Sequence, residues 1–290
     1  MHEPVLYQEI IDFFSPLKMT TFVDGTVGLG GHAIGILTAH PEIQRFYGID
    51  RDWEALNHSR IRLAPFQEKV VLHQGSFTEI DELVEGSVEG ILLDLGVSSL
   101  QLDCPDKGFS FYKEGPLDMR MDPSQVTTAE EIVNKFSEQN LGQLFKEYGE
   151  ERKWRQAAKA IVEARRKKRI TTTKQLREIV EAVIPWGGRK IHPATLVFQA
   201  IRIKVNEELI LLQEVLPKAI ALLAPGGRLG VISFHSLEDR IVKEQFRKFC
   251  VEEKSAHLLT RKPIVAQDEE RKKNRRSRSA KLRFLEKKCA

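Results

Sequence analysis

The sequence has little that would staple, export or anchor it. Its three cysteines, Cys104, Cys250 and Cys289, form no C-x-x-C pair, so a disulfide framework is excluded, no zinc site is expected and a reducing compartment fits best. The start, Met-His-Glu-Pro-Val-Leu, lacks a basic region followed by an apolar one. No window reaches the run of about 18 apolar residues that a membrane span needs. A cytoplasmic chain without membrane association is the expectation. Net charge is nearly lacking too, with 45 Lys plus Arg against 41 Asp plus Glu in 290 residues. With 41% hydrophobic residues, the composition excludes disorder and small secreted scaffolds and leaves room for one large domain or two.

The small net charge hides an uneven distribution. From Asp268 to Lys288 ten Lys or Arg face four Asp or Glu, and from Glu151 to Arg169 nine face two. Such segments on a nearly neutral body suggest a polyanionic partner such as nucleic acid. A solvated helix face and a frayed tail are the plainer alternative.

Thr21-Phe-Val-Asp-Gly25 reads as a strand, and Thr26-Val-Gly-Leu-Gly-Gly-His32 follows it, leading into a helical pattern from Ala33 to Ala39. A glycine loop at a strand-to-helix junction lets backbone approach a ligand and aims helix N-terminal N–H groups at it. The next strand, Arg45-Phe-Tyr-Gly-Ile-Asp50, ends in an acid 19 residues after Gly31. That is the nucleotide-binding spacing, with the carboxylate accepting from ribose hydroxyls. Lys69 to His73 and the apolar Val88 to Asp94 read as further strands, as does Arg228 to Phe234 after the turn signal Pro225-Gly226-Gly227. Strands alternating with helices predict an α/β, Rossmann-like doubly wound sheet. Ligands in such sheets sit beyond the carboxyl ends of the strands, where Asp24, Asp50, Asp94 and His235 should converge.

Between Asp94 and Arg228 lie 133 residues, far more than the roughly 30 of one crossover unit. Helical spacing over Thr128–Asn134, Glu138–Tyr148, Glu151–Lys168 and Thr173–Val183, with Ser137 and Thr173 as N-caps, predicts an inserted helical domain. The expected division is 1–104 and 201–290 for the sheet domain and 105–200 for the insert. Glu207 to Leu223, with Leu209, Leu212, Leu216 and Ile220 on one face, reads as a helix packing on the sheet. Apolar faces of the inserted helices serve either a core or a homodimer. The tail Ser279 to Glu286, with Lys281 and Arg283 alternating with apolar residues, predicts an edge strand with one basic face.

The glycine loop is not the full G-x-G-x-x-G, since His32 and Ala33 follow Gly30 and Gly31, and dehydrogenases, flavoproteins and methyltransferases all use such loops. Asp24 offers a carboxylate to the amino group of a methionine-type ligand, which favours S-adenosylmethionine over NAD. The alternative role for Asp24 is to hydrogen-bond the loop.

Longer strings resemble the bacterial ribosomal small-subunit RNA cytosine N4-methyltransferase family. They are Asp24 to His32, Leu93-Asp-Leu-Gly-Val-Ser-Ser-Leu-Gln-Leu-Asp103, Gly108-Phe-Ser-Phe with Gly115-Pro-Leu-Asp-Met-Arg-Met-Asp122, His192-Pro-Ala-Thr with Phe198 to Glu207, and Ile232 to Arg240. The likeness runs from His2-Glu-Pro-Val-Leu6 to Arg275–Arg283. Leu196, where Arg is expected, and Arg275, where Pro is expected, depart from the pattern near the RNA-facing surface. The resemblance implies a class I S-adenosylmethionine-dependent methyltransferase with an inserted all-helical substrate-recognition domain. It implies transfer to N4 of a decoding-region cytidine in 16S rRNA of the small ribosomal subunit. It places S-adenosylmethionine against Gly30, Gly31, His32, Asp50, Phe77, Asp94 and Gln101.

A cytosine N4 lone pair is delocalised, so a proton acceptor that holds the amine lowers the barrier. Amino-methylating enzymes often use Asp or Asn followed by Pro-Pro and an aromatic; here Asp94 is followed by Leu-Gly-Val, so that device is missing. Asp94 is the positional catalytic candidate and His235 the second. Asp118 and Arg120 form either a substrate-side loop or an internal ion pair. The expected phosphate grips are Lys153, Arg155, Arg165, Arg166 and Lys168 on the insert and Arg275, Arg276 and Arg278 on the tail. The competing classes are a nicotinamide-dependent oxidoreductase, which the incomplete glycine fingerprint disfavours, and a nonenzymatic ribosome assembly factor on a methyltransferase scaffold.

Overall fold

The computed structural model describes residues 4–188 and 191–289, so His2 and Glu3 of the N-terminal string lie outside the described residues. The chain divides into two units, Met1–Ser98 with Leu209–Ala290, and Ser99–Glu208.

The first unit opens with helix α1 (Tyr7–Phe14), strand β1 (Thr21–Asp24) and α2 (Gly31–Ala39). It continues through β2 (Arg45–Asp50), α3 (Trp53–Arg62), β3 (Val70–Gln74), α4 (Ile80–Leu83) and β4 (Val88–Asp94). The second unit holds α5 (Ser99–Asp103), α6 (Ala129–Lys135), α7 (Glu138–Glu147), α8 (Trp154–Lys167), α9 (Thr173–Val183) and α10 (Thr195–Asn206). The chain returns through α11 (Glu208–Leu222), β5 (Leu223–Ser233), α12 (Ser236–Arg247), β6 (Ala256–Leu258), α13 (Asp268–Lys273) and β7 (Lys281–Lys287).

The seven strands form one sheet in the order β3-β2-β1-β4-β5-β7-β6. The first five run parallel, in register through pairs such as Asp24↔Gly48 and Asp94↔Ile232. β7 is antiparallel to β5, and β6 to β7. Period-2 alternation sends neighbouring side chains to opposite faces. Val23, Ile91, Leu93 and Val231 face one core with Leu212 and Leu216 of α11 and Phe246 of α12. Phe22, Leu92, Ile232 and Phe284 face the other core with Ile10 and Phe14 of α1 and Ile36 of α2. A parallel sheet covered on both faces explains why β4 reads as an unbroken apolar run.

Three expectations differ in detail. The tail strand is not an edge, because β6 pairs along its outer side. Its cations turn inward: Arg283 is buried, and Arg283 Nε and Lys281 Nζ both reach Asp239 of α12, at 2.7 and 2.9 Å. Although burial alone would raise the Asp239 carboxyl, these two cations hold it below its ordinary value. The strand expected to begin at Arg228, after the turn signal Pro225-Gly226-Gly227, begins at Leu223. The turn signal lies inside β5, where pairing with β4 shifts register between Val88 and Gly90, a bulge that absorbs the extra residues.

In the second unit buried residues recur at helical spacing: Leu141, Leu144 and Phe145 on α7, Ala157, Ile161 and Val162 on α8, Leu176 and Val180 on α9. Ser137 caps α7 through the Asn140 N–H. The α9 cap is Thr172, not Thr173: Thr172 and Gln175 form the reciprocal capping box, while Thr173 Oγ1 donates to the Lys113 carbonyl. The unit's borders fall at 99 and 208 rather than at 105 and 200, since α5 starts at Ser99 and α10 continues to Asn206 before Glu207, at φ 54°, turns the chain into α11.

Candidate methyl-donor site

β1 lies between β2 and β4, so the chain must cross back after β3 to place β4 on the other side. That reversal opens a crevice at the carboxyl ends of the strands, and Asp24, Asp50 and Asp94 are the last residues of β1, β2 and β4. The glycine loop is pinned there. The Gly28 N–H donates to Asp50 Oδ2 at 2.8 Å, the Gly28 carbonyl accepts from Ser59 Oγ at 2.6 Å, and the Val27 N–H donates to the Ile49 carbonyl at 2.9 Å. Gly30 caps α2 at φ 73°, a left-handed conformation that costs a residue with a Cβ about 1–2 kcal/mol. The first N–H groups of α2, beginning at Gly31, have no partner within the helix. A Cβ on Gly31 would lie 2.5 Å from Pro4 Cγ, so the N-terminal string packs directly on the loop.

The electrostatics are unusual for a phosphate-binding loop. Burial of Asp24 raises its carboxyl to about 7, opposed by His32 and by the Thr26 N–H. Asp50 is raised to about 6 by its packed surroundings, against hydrogen bonds from the Asp52 and Gly28 N–H groups. Asp94 is half-buried; its N–H donates to Thr26 Oγ1 at 2.6 Å, and its Oδ1 has no hydrogen-bond partner. Its other oxygen, Oδ2, stands 3.5 Å from Nε2 of the His32 imidazole. Neither ring nitrogen of the buried His32 is hydrogen-bonded, and Tyr7 stacks on its ring at 6.3 Å between centroids. Buried polar atoms without partners are costly and mark places where a ligand completes the bonding. Three carboxylates around one loop repel a pyrophosphate. They suit a ligand with positive charge, such as the α-ammonium and sulfonium of S-adenosylmethionine, and the unpartnered atoms of His32 and Asp94 fit that donor.

The family model described as the MraW methylase family matches residues 1–288. The chain belongs to this family. It is 48% identical to ribosomal RNA small subunit methyltransferase H of Protochlamydia amoebophila over 306 aligned positions, covering 99% of this chain and 97% of the relative. It is 49% identical to the protein of that name from Persephonella marina, covering 97% of each. Among solved structures, a putative rRNA-methylase from Clostridium thermocellum aligns over 99% of this chain and 100% of its own at a TM-score of 0.51 and 14% identity. That likeness concerns the fold alone, a class I methyltransferase fold.

For this MraW-family chain the first unit brings together Gly30, Gly31, His32, Asp50, Asp94 and Phe77. Phe77 opens a 3-10 turn just after β3, capped by Ser76. Its Cβ would lie 3.2 Å from a Cβ placed on Gly25, so the ring's base borders the loop. Gln101 belongs to the second unit, on α5, where it is buried. His235 caps α12, its Nδ1 accepting the Glu238 N–H while Glu238 Oε2 accepts from the Phe234 and His235 N–H groups at 2.8 and 3.2 Å; its Nε2 is buried without a hydrogen-bond partner, 3.2 Å from Glu238 Oε1. Asp118 and Arg120 form the internal pair, with two contacts of 2.8 Å and further bonds from Arg120 to the Pro123 and Gln125 carbonyls. Sequence patterns do not single out Ser59 or Tyr7, whereas Thr26 carries a signal as a polar residue of the loop two positions after Asp24.

The expected phosphate grips divide. Arg155, Arg166 and Lys168 are exposed on or beside α8, as are Arg275 and Arg278 in the tail, while Lys153 and Arg276 are half-buried. Arg165 is not a free cation: its guanidinium donates to the Val133 and Phe136 carbonyls at 2.7 and 2.6 Å, closing the end of α6. Leu196 is half-buried on α10, next to Thr195.

Proposed function

We propose that this chain transfers a methyl group from S-adenosylmethionine to the exocyclic N4 of a cytidine in the decoding region of 16S rRNA, within the small ribosomal subunit and in the cytoplasm. The observation that carries the reading is the cluster of Asp24, Asp50 and Asp94 around the glycine loop, acids that accept a cationic donor, which favours their ionised forms, better than a dinucleotide. The names of the relatives, ribosomal RNA small subunit methyltransferase H, and the basic stretch of α8 support RNA as the acceptor. Bound S-adenosylmethionine supplies an electrophilic methyl group on a sulfonium. Asp24 holds the ammonium, and Gly30, Gly31 and His32 present backbone N–H groups to the methionine carboxylate. Asp50 accepts from the Gly28 N–H of the loop at Oδ2 and from the Asp52 N–H at Oδ1, and keeps other lone pairs for ribose hydroxyls. Phe77 covers adenine. Asp94 accepts the N4 proton: its Oδ1 has no partner, and the ring of His32 lies behind Oδ2. His235 is the second candidate: its Nδ1 is taken by the α12 cap, and its Nε2 faces Glu238 rather than Asp94.

This assignment has a direct test. Asp94→Asn keeps the shape and the Thr26 contact to the backbone but cannot take a proton at neutral pH. In single-turnover assays it is expected to lower kcat by about 100-fold or more while donor affinity, read by calorimetry, changes much less. Unchanged kcat in Asp94→Asn removes Asp94 as the acceptor.

A further inference from the structure

Two strings singled out in the sequence, Gly108-Phe-Ser-Phe111 and His192-Pro-Ala-Thr195, take no part in the donor site, yet the second unit brings them together. The Phe111 ring stands edge-on to Phe198 at 5.1 Å and lies 4.6 Å from His192; Phe198 is buried in the unit's core. Tyr112 lies 4.6 Å from Phe111 and 5.8 Å from His192, and Trp186 stands edge-on to His192 at 4.9 Å. The central imidazole is locked. The Ala194 N–H donates to His192 Nδ1 at 3.1 Å, so the proton sits on Nε2, which faces Glu181 Oε1 at 2.8 Å. Around this post the outer rings are open, with Tyr112 74% and Trp186 56% exposed. Large aromatics rigidly held and left in water mark an interaction surface.

The chemistry around them selects the occupant. α8 and α9 pack together and are joined by the short link from Lys168 to Thr172, so they run antiparallel. The α8 N-terminal turn, with Lys153 and Arg155, therefore lies toward the end of α9 that leads to Trp186. Arg177 of α9 reaches the cluster itself, its Nη1 donating to the Phe111 carbonyl at 3.2 Å. Cations near open aromatic faces are the combination that single-stranded nucleic acid uses, phosphates on the charges and bases on the rings.

We propose that Trp186 and Tyr112, seated on His192 and Phe111, form a stacking platform for unpaired bases of the RNA substrate. The proposal rests on the RNA-methyltransferase reading and names which part of the RNA the second unit holds. It gives the two strings a role apart from methyl transfer, and it makes recognition depend on the RNA being single-stranded at this point.

The test uses the full chain and a labelled single-stranded RNA of about 16 nucleotides, the upper span of one binding fold, beside a duplex of the same length. Trp186→Ala and Tyr112→Ala are each expected to weaken binding of the single strand about tenfold. Trp186→Phe is expected to retain most of it. Duplex affinity and the slope of log affinity against log salt are expected to stay as in the parent, because no phosphate contact is lost. Single-strand affinity unchanged in both alanine variants, or an equal loss on the duplex, overturns the platform. So does a change of oligomeric state as the only effect, which would make the face a contact between copies. Methyl transfer by the parent chain to small subunits is measured alongside. Its absence would remove the enzymatic reading, while the platform would still be judged on RNA affinity alone.

Discussion

On the proposed function, Asp24 sets the pH dependence of donor binding. The folded chain holds its proton up to about pH 7, against an ordinary value of 3.8. The ligand-free fold therefore binds more protons than the unfolded chain between those values, and it loses that share of stability as pH rises through the window. An ammonium group requires the ionised carboxylate. Donor affinity is expected to climb with pH and level off near 7, with proton release on binding at lower pH, read by calorimetry in buffers of differing ionisation enthalpy. The groups facing Asp24 are His32, Asp94 and Asp50. Affinity flat across the window would contradict the assignment. Asp50 also supports the fold, since Asp50→Ala strips the acceptor from the Gly28 and Asp52 N–H groups. Each unsatisfied buried donor costs about 1–3 kcal/mol, so a lower melting temperature is expected together with weakened donor binding, whereas a purely ligand-facing residue would move only the second. These acids are legible in the sequence because strand ends and loop spacing are local patterns. The contact between His32 and Asp94 is not, since it joins a helix start to a strand 62 positions later.

Elements built from local periodicity are the most legible: β1, β2, β4 and helices α6 to α9 follow from alternation, caps and apolar stripes. What local pattern does not contain is the neighbour each element finds. The tail forms the strand its alternation predicts, but its cations, which suggest an exposed basic face, are gathered by Asp239 while β6 covers the outer edge. Asp239 and Arg283 are both largely removed from water, at 13% and 7% side-chain exposure. Losing one partner of such a pair leaves an uncompensated charge, at a cost of about 3–5 kcal/mol. Asp239→Ala is expected to lower the denaturant midpoint by that order, and Asp239→Ala combined with Arg283→Met to recover most of the loss. Equal destabilisation in the single and double variants would show that the pair is not what holds β7 to α12. The same reasoning removes Arg165 from the RNA-facing set, since helix periodicity places it beside Arg166 but does not show the α6 carbonyls above it.

At the scale of the whole molecule, the sheet unit carries the three acids around the glycine loop, and the inserted unit carries the exposed Tyr112 and Trp186 and the basic stretch of α8. The excess of residues between β4 and β5 announces an insertion, and its borders lie further out than composition suggests because α5 and α10 complete the second unit's own packing. Among the described residues no helix is long and apolar enough to cross a membrane. The central claim is that these parts together methylate a cytidine of small-subunit RNA. The measurement that meets it most directly is methyl transfer from labelled S-adenosylmethionine to small ribosomal subunits lacking the modification, followed by nucleoside mass spectrometry. The account predicts N4-methylcytidine at one site, lost in Asp50→Ala. No methylated nucleoside, despite saturating binding of both donor and subunits, would contradict it and leave a ribosome-binding protein on a methyltransferase scaffold.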